Sequence, residues 1–244
     1  MLISVPRAWR RALEILRWRG PGHFLLLALR EMLRPLLYWY AWNIYLTDLR
    51  QPLTEPYAKG KFDVRILSGR NDLETARQQL ASFGEPVPDN FAVRMNRGDA
   101  LAIVYSGSEP VAFGWMTFSS GMELAFGTHW TLHAQEGTQY GSFVLPKWRG
   151  HGIFSVLNVA LNTFARERGV VHSIGSISVL NSQSLSMARR LGKKKIMTVL
   201  VVRVRGFGWT FRKAIGAPLH TRFTGKPLDF GHAAGATLGL GDKV

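Results

Sequence analysis

A chain of 244 residues holds one sizeable domain with additions, and a hydrophobic content of 46% supports a packed core rather than a disordered chain. It contains no cysteine, which excludes a catalytic thiolate, a disulfide framework and a thiolate metal site. Lys and Arg number 31 against 16 Asp and Glu; the net charge of +15 calls for an anionic partner such as a phosphate-bearing ligand, an anionic lipid or a nucleic acid. No zinc finger, RNP signature or lysine-rich tail is present, so no specific nucleic-acid partner is expected.

Residues 1–59 read as a basic, aromatic-rich, amphipathic helical extension. Arg7, Arg10, Arg11, Arg17 and Arg19 alternate with Trp9, Leu13, Ile15, Leu16 and Trp18, and Gly20-Pro21-Gly22 interrupts the pattern. The next segment, residues 24–46, is strongly apolar and carries Tyr38, Trp39, Tyr40, Trp42 and Tyr45. Arg30, Glu31 and Arg34 would cost about 8 kcal/mol at a bilayer centre against about −5 kcal/mol from the apolar side chains, so an interfacial helical hairpin is expected rather than a spanning helix. The start of the chain lacks the apolar core and cleavage pattern of a signal peptide. Three destinations stay open for the extension: an anionic membrane surface, giving a cytoplasmic protein peripheral on that face of the membrane; the adjoining domain; or a homo-oligomer interface.

Residues 60–206 read as one α+β domain, a central mixed sheet flanked by helices. Residues 62–67 alternate with period two and predict a first strand. Asn71 or Ser68 is placed to cap a helix running to about Ser82, and a second helical piece spans residues 90–96. Residues 100–105 and 111–118 flank Ser106-Gly107-Ser108-Glu109-Pro110, a hairpin signal. An apolar run then ends in Phe143-Val144-Leu145-Pro146, followed by Lys147-Trp148-Arg149-Gly150-His151-Gly152. Ile153, Val156, Leu157, Ala160, Leu161 and Phe164 follow at helical spacing, with Gly169 as the stop. A strand (170–180), a short helix opened by Asn181 and ending at Leu191-Gly192, and a β-branched strand (196–204) complete the domain. Lys193-Lys194-Lys195 reads as a solvated helix end, or as a contact for a phosphate or an acidic substrate. Residues 207–244 read as a glycine-rich basic tail, in which residues 209–213 are a further candidate for membrane contact and the last 15 residues are expected to be mobile.

The strand–glycine turn–helix at residues 143–154 presents unpaired backbone N–H groups and a helix N-terminus at one point, an arrangement suited to phosphate. It resembles motif A of the GCN5-related N-acetyltransferase (GNAT) superfamily, Arg/Gln-x-x-Gly-x-Gly/Ala, with Arg149 and Gly152 in the first and fourth positions and Phe154 where the family prefers a small residue. The Asn181 helix with its Leu-Gly ending resembles motif B of the same family. The element order agrees over about three-fifths of the chain.

The resemblance implies direct transfer of an acyl group, most simply acetyl, from acetyl-CoA or another acyl-CoA to an amine substrate. Phe143, Val144, Leu145, Arg149, Gly150, His151, Gly152, Ile153, Phe154 and Asn181 are then the donor-binding residues. The backbone N–H of Val144 polarises the thioester carbonyl. The family often places a Tyr seven residues after the Asn as general acid; here that position is Ala188. Glu123, His129, His133 and Glu136 are the candidates for proton transfer. His129 and His133 lack a third ligand, and no metal is expected. A bulky Phe154 and the apolar extension also suit a longer acyl donor. A catalytically silent module that binds CoA or a partner at a membrane is the alternative that Ala188 supports.

Overall fold

The computed structural model describes residues 21–33, 37–84, 90–119, 122–125, 128–204, 207–214 and 222–224. The elements are α1 (Pro21–Leu33), β1 (Leu37–Asp48), β2 (Asp63–Ser68), α2 (Leu73–Ala81), α3 (Phe91–Asn96), β3 (Ala100–Ser106), β4 (Glu109–Thr117), β5 (Met122–Ala125), β6 (Thr128–Thr131), β7 (Glu136–Val144), α4 (Ile153–Glu167), β8 (His172–Ser178), α5 (Ser182–Arg190), β9 (Lys194–Val204), β10 (Phe207–Ala214) and β11 (Arg222–Thr224). Eight strands form one mixed sheet in the order β10-β9-β1-β8-β7-β4-β3-β2, and β11-β6-β5 form a second. In the large sheet β7 and β8 are the parallel pair, joined by α4 as a crossover helix. The α+β class read from the sequence is the class observed.

β3 shows how one strand serves two layers. Ala100, Ala102 and Val104 face a cluster with Ile153, Leu157, Leu161 and Ala165, the buried stripe of α4. Leu101, Ile103 and Tyr105 face the other way, onto Ala76, Leu80, Phe91 and Met95 of α2 and α3. The period of two in the strand and the spacing of three to four in the helix account for both contacts. The hairpin expected between residues 100 and 118 is present as β3 and β4, and the expected helix over 152–169 is α4.

The helical extension is corrected. α1 ends at Leu33, and residues 37–48 form a strand in the middle of the sheet, antiparallel to both β8 and β9. Trp42 pairs Ser178 on one side and Val199 on the other. Ile44 is buried, as are Tyr40, Tyr45 and Leu49. A short apolar run does not by itself separate helix from strand, and this one is rich in the aromatic residues that pack well on a pleated surface. The expected boundary at residue 59 therefore leaves a central strand outside its own sheet. Residues 207–214, expected as tail, extend that sheet as β10 against β9. Residues 1–20 and 225–244, with the expectations made for them, lie outside the described residues. Among the described residues no helix is long and apolar enough to cross a membrane.

Candidate functional site

β7 and β8 pair in parallel from Glu136 and His172 to Gln139 and Gly175, then separate. β7 continues to Val144 and β8 to Ser178, so a V-shaped cleft opens between them. A bulge bends β7 away. Trp115 pairs Tyr140 and Phe113 pairs Phe143, so one more residue lies on β7 than on β4 over this interval. Gly141, at φ +56°, takes the left-handed conformation that the bulge requires, and a Cβ there would press Trp115 at 3.3 Å.

Side chains from α3 and from the turn between α3 and β3 anchor this bend. The Tyr140 hydroxyl donates to Asp99 Oδ2 at 2.5 Å, and Arg97 donates to both Asp99 oxygens, at 3.0 and 2.5 Å. The Arg94 guanidinium stands 5.1 Å from the Tyr140 ring centroid and 5.5 Å from that of Trp115. Asp99 is fully buried. Burial, with the Asp99 carboxylate beside it, pushes the Tyr140 phenol well above its usual range and keeps it a donor.

The turn after β7 leads directly into α4. Leu145 N–H donates to Val111 O at 2.9 Å, and Arg149 Nε donates to Val144 O at 3.3 Å, so the arginine folds back on the strand end. The His151 Nδ1 lies 3.3 Å from Trp148 O and 3.2 Å from Arg149 O, which fixes the ring against the turn. Gly152 is the helix N-cap at φ +77°; no side chain caps this end and no acidic residue occupies the first turn. The N-terminal N–H groups of α4 and its positive dipole end are thus unneutralised by its own first turn. Ile153 is buried and Phe154 half-buried. Phe143, Val144 and Leu145 are half-buried at the opening of the cleft. Asn181 caps α5, its Oδ1 accepting from Ser184 N–H at 3.1 Å. Ala188 is buried on α5.

Two of the four proton-transfer candidates stand away from this opening. His133 and Glu136 stand at the opposite end of β7, about 25 Å of strand from Val144. The Glu136 carboxylate accepts from His133 N–H at 3.1 Å and closes the turn that starts the strand. Glu123 and His129 are backbone partners across β5 and β6. Their side chains lie outside the described residues.

Two features were missed from the sequence. The first is Lys193, which reads as one of three solvated lysines. It is half-buried, its ammonium lies 3.4 Å from Gln139 Oε1, and burial lowers it to about 8. Gln139 is the last paired residue before the cleft, and it belongs to a buried network with Asn158 and Asn162 of α4. The second is the segment after β1. Lys59 N–H donates to His151 O at 2.9 Å, Tyr57 N–H donates to Ser155 Oγ at 3.2 Å, and Thr54 Oγ1 donates to Leu191 O at 3.5 Å. A polar, proline-containing stretch offers no periodicity from which such a path could be read.

No protein-family model matches the chain, and no curated protein matches it. Similar folds occur among solved structures. A GCN5-related N-acetyltransferase from Sphaerobacter thermophilus is 17% identical over 79% of this chain and 58% of its own, with a TM-score of 0.47. A second, from Kribbella flavida, is 14% identical over 75% of this chain and 63% of its own, with a TM-score of 0.45. The aminoglycoside N-acetyltransferase AAC(6')-Iy, solved with CoA, is 19% identical over 56% of this chain and 91% of its own, with a TM-score of 0.42. This chain therefore spans about three-fifths of the length of the first two.

Proposed function

We propose that the protein is an acyl-CoA-dependent N-acyltransferase, most simply an acetyltransferase acting on an amine. The observation that carries this reading is the cleft between β7 and β8, opening beside the uncapped, acid-free N-terminus of α4. Backbone N–H groups from Arg149 to Phe154 would hold the diphosphate of the donor, and the arm would enter the cleft past Val144. The amine nitrogen attacks the thioester carbon, the oxyanion takes the Val144 N–H, the C–S bond breaks, and the thiolate accepts a proton. Asn181 keeps the adjoining helix in place. A proton acceptor has to reach the amine, directly or through one water, and Glu123, His129, His133 and Glu136 are the candidates, with His133 and Glu136 at the far end of β7. Partly exposed Phe154 leaves room for a longer acyl donor as the variant of this reading.

Calorimetry with acetyl-CoA, free CoA and longer acyl-CoAs decides the matter. Gly150 is the position at which to perturb the turn, because a Cβ there meets nothing within 4 Å. Asp and Asn both tolerate its positive φ better than other residues do, so Gly150→Asn controls for strain. Gly150→Asp is expected to bind CoA about tenfold more weakly than Gly150→Asn, or about 1.4 kcal/mol. Equal affinity for the two variants, or no CoA binding by the parent chain, overturns the assignment.

We also propose a peripheral place on an anionic membrane. Leu25, Leu29 and Met32 lie on one face of α1 and are 69%, 46% and 72% exposed. Five arginines precede this helix within residues 7–19. Apolar insertion and attraction to anionic headgroups would act together. Flotation with vesicles containing phosphatidylserine should weaken, without vanishing, as salt rises. Replacing the three side chains by Ser should remove it. Unchanged flotation of that variant overturns the stripe as the membrane contact.

The second reading is a silent acyl-CoA- or partner-binding module. Ala188 favours it, since this buried methyl supplies no acid. Substrate-dependent release of free CoA excludes it.

A further inference from the structure

Residues 54–59 form a strap that joins the first turn of α4 to α5. Its backbone rests directly on Gly152: a Cβ at that glycine would fall 2.7 Å from Tyr57 O and 2.9 Å from Ala58 Cα. Only a residue without a side chain admits this approach. Ser155 completes the junction, accepting from Tyr57 N–H while its own hydroxyl donates to Gly152 O at 2.6 Å. At the other side the Tyr57 hydroxyl meets Met187 Sδ, and the Arg190 guanidinium lies 5.9 Å from the Tyr57 ring centroid. The strap thus crosses the opening between the two helices at the point where a phosphate would approach α4.

We propose that the strap is a gate, closed in the free protein and lifted from Gly152 when an acyl donor binds. This rests on the donor-binding reading given above. The strap belongs to neither helix nor strand; Tyr57 N–H holds it to the first turn of α4 and Lys59 N–H to the turn before that helix. Thr54, Glu55 and Pro56 are exposed on one side of Tyr57 and Lys59, Gly60 and Lys61 on the other. Pro52 and Pro56 limit bending on the amino side, whereas Gly60, at φ +123°, supplies a pivot on the carboxyl side. Few bonds, an exposed path and a glycine pivot suit a segment that opens locally without unfolding the sheet. Phe62, just beyond the pivot, packs edge-on against Trp148 of the turn, with ring centroids 6.0 Å apart. Lys59 N–H donates to His151 O, so movement of the strap is felt at the turn that would hold the diphosphate.

Hydrogen exchange of the full chain, with and without acetyl-CoA, reads the gate. The amides of Tyr57 and Lys59 should exchange about tenfold faster in the complex, while those of the first turn of α4 slow down. Tyr57→Ala removes the anchor on α5 and leaves the glycine turn intact, and it should bind acetyl-CoA about threefold or more tightly by relieving the closed state. Binding by Tyr57→Ala alone overturns a gate that the donor lifts, since the parent then never opens. Tight binding by the parent with unchanged or greater protection at Tyr57 and Lys59, and no gain in Tyr57→Ala, overturns the gate and leaves donor binding standing. Absence of acetyl-CoA binding by both proteins overturns donor binding and the gate together.

Discussion

Asp99→Ala should destabilise the fold by about 3 kcal/mol, the lower end of the range for breaking a buried ion pair, because Arg97 keeps some contact with solvent. The Asp99 side chain is fully buried and that of Arg97 is 32% exposed. Asp99 gathers bonds from two directions, and its loss leaves the Tyr140 hydroxyl without its acceptor as well as the guanidinium without its counter-charge. Tyr140→Phe removes the first bond and leaves the ion pair, and should cost about 1 kcal/mol. Urea unfolding of the two variants checks the order. A loss in Asp99→Ala no larger than in Tyr140→Phe would show that the carboxylate is not the anchor. The effect should extend to the cleft, since Tyr140 immediately precedes the bulge at Gly141. Donor affinity in Asp99→Ala should then fall even under conditions where the protein is folded.

The elements legible in the sequence were those whose pattern is local. Ile153 to Phe164 carry a helical stripe, and the glycine turn before them declares its own chemistry. Asn181 announced a cap and became one. The hairpin between β3 and β4 was fixed by a polar turn between two apolar runs. β1 was not legible, because Leu37 to Leu46 is apolar on both faces. Nothing in such a run distinguishes a buried strand from a helix laid against a surface; the partners that decide it, Ser178 and Val199, lie more than a hundred residues away. The site failed in the same way. Asp99 follows Arg97-Gly98 and reads as a loop residue. Its role comes from Tyr140, on a strand that meets it only in the folded sheet. Tyr57 sits among prolines and charges with no period to betray that it crosses two helices. Lys193 was hidden by its neighbours, since three lysines in a row look alike until the backbone turns one of them inward.

That inward turn gives the remaining prediction a definite sign. The Lys193 ammonium has an ordinary value of 10.5 in the unfolded chain, and burial lowers it to about 8 in the fold. Between those values the unfolded chain holds a proton that the folded one has released. Stability therefore rises with pH across this window, by about 3 kcal/mol in total, and the full penalty stands below pH 8. Lys193→Met keeps most of the side-chain volume and removes the charge. Gln139 Oε1 still accepts from Asn158 Nδ2 in that variant. It should be about 1–3 kcal/mol more stable than the parent at pH 7, and its stability should not climb between pH 8 and 10.5 beyond what other groups contribute. Denaturant unfolding at a series of pH values measures both effects. Parallel curves for the two proteins would place the ammonium in solvent.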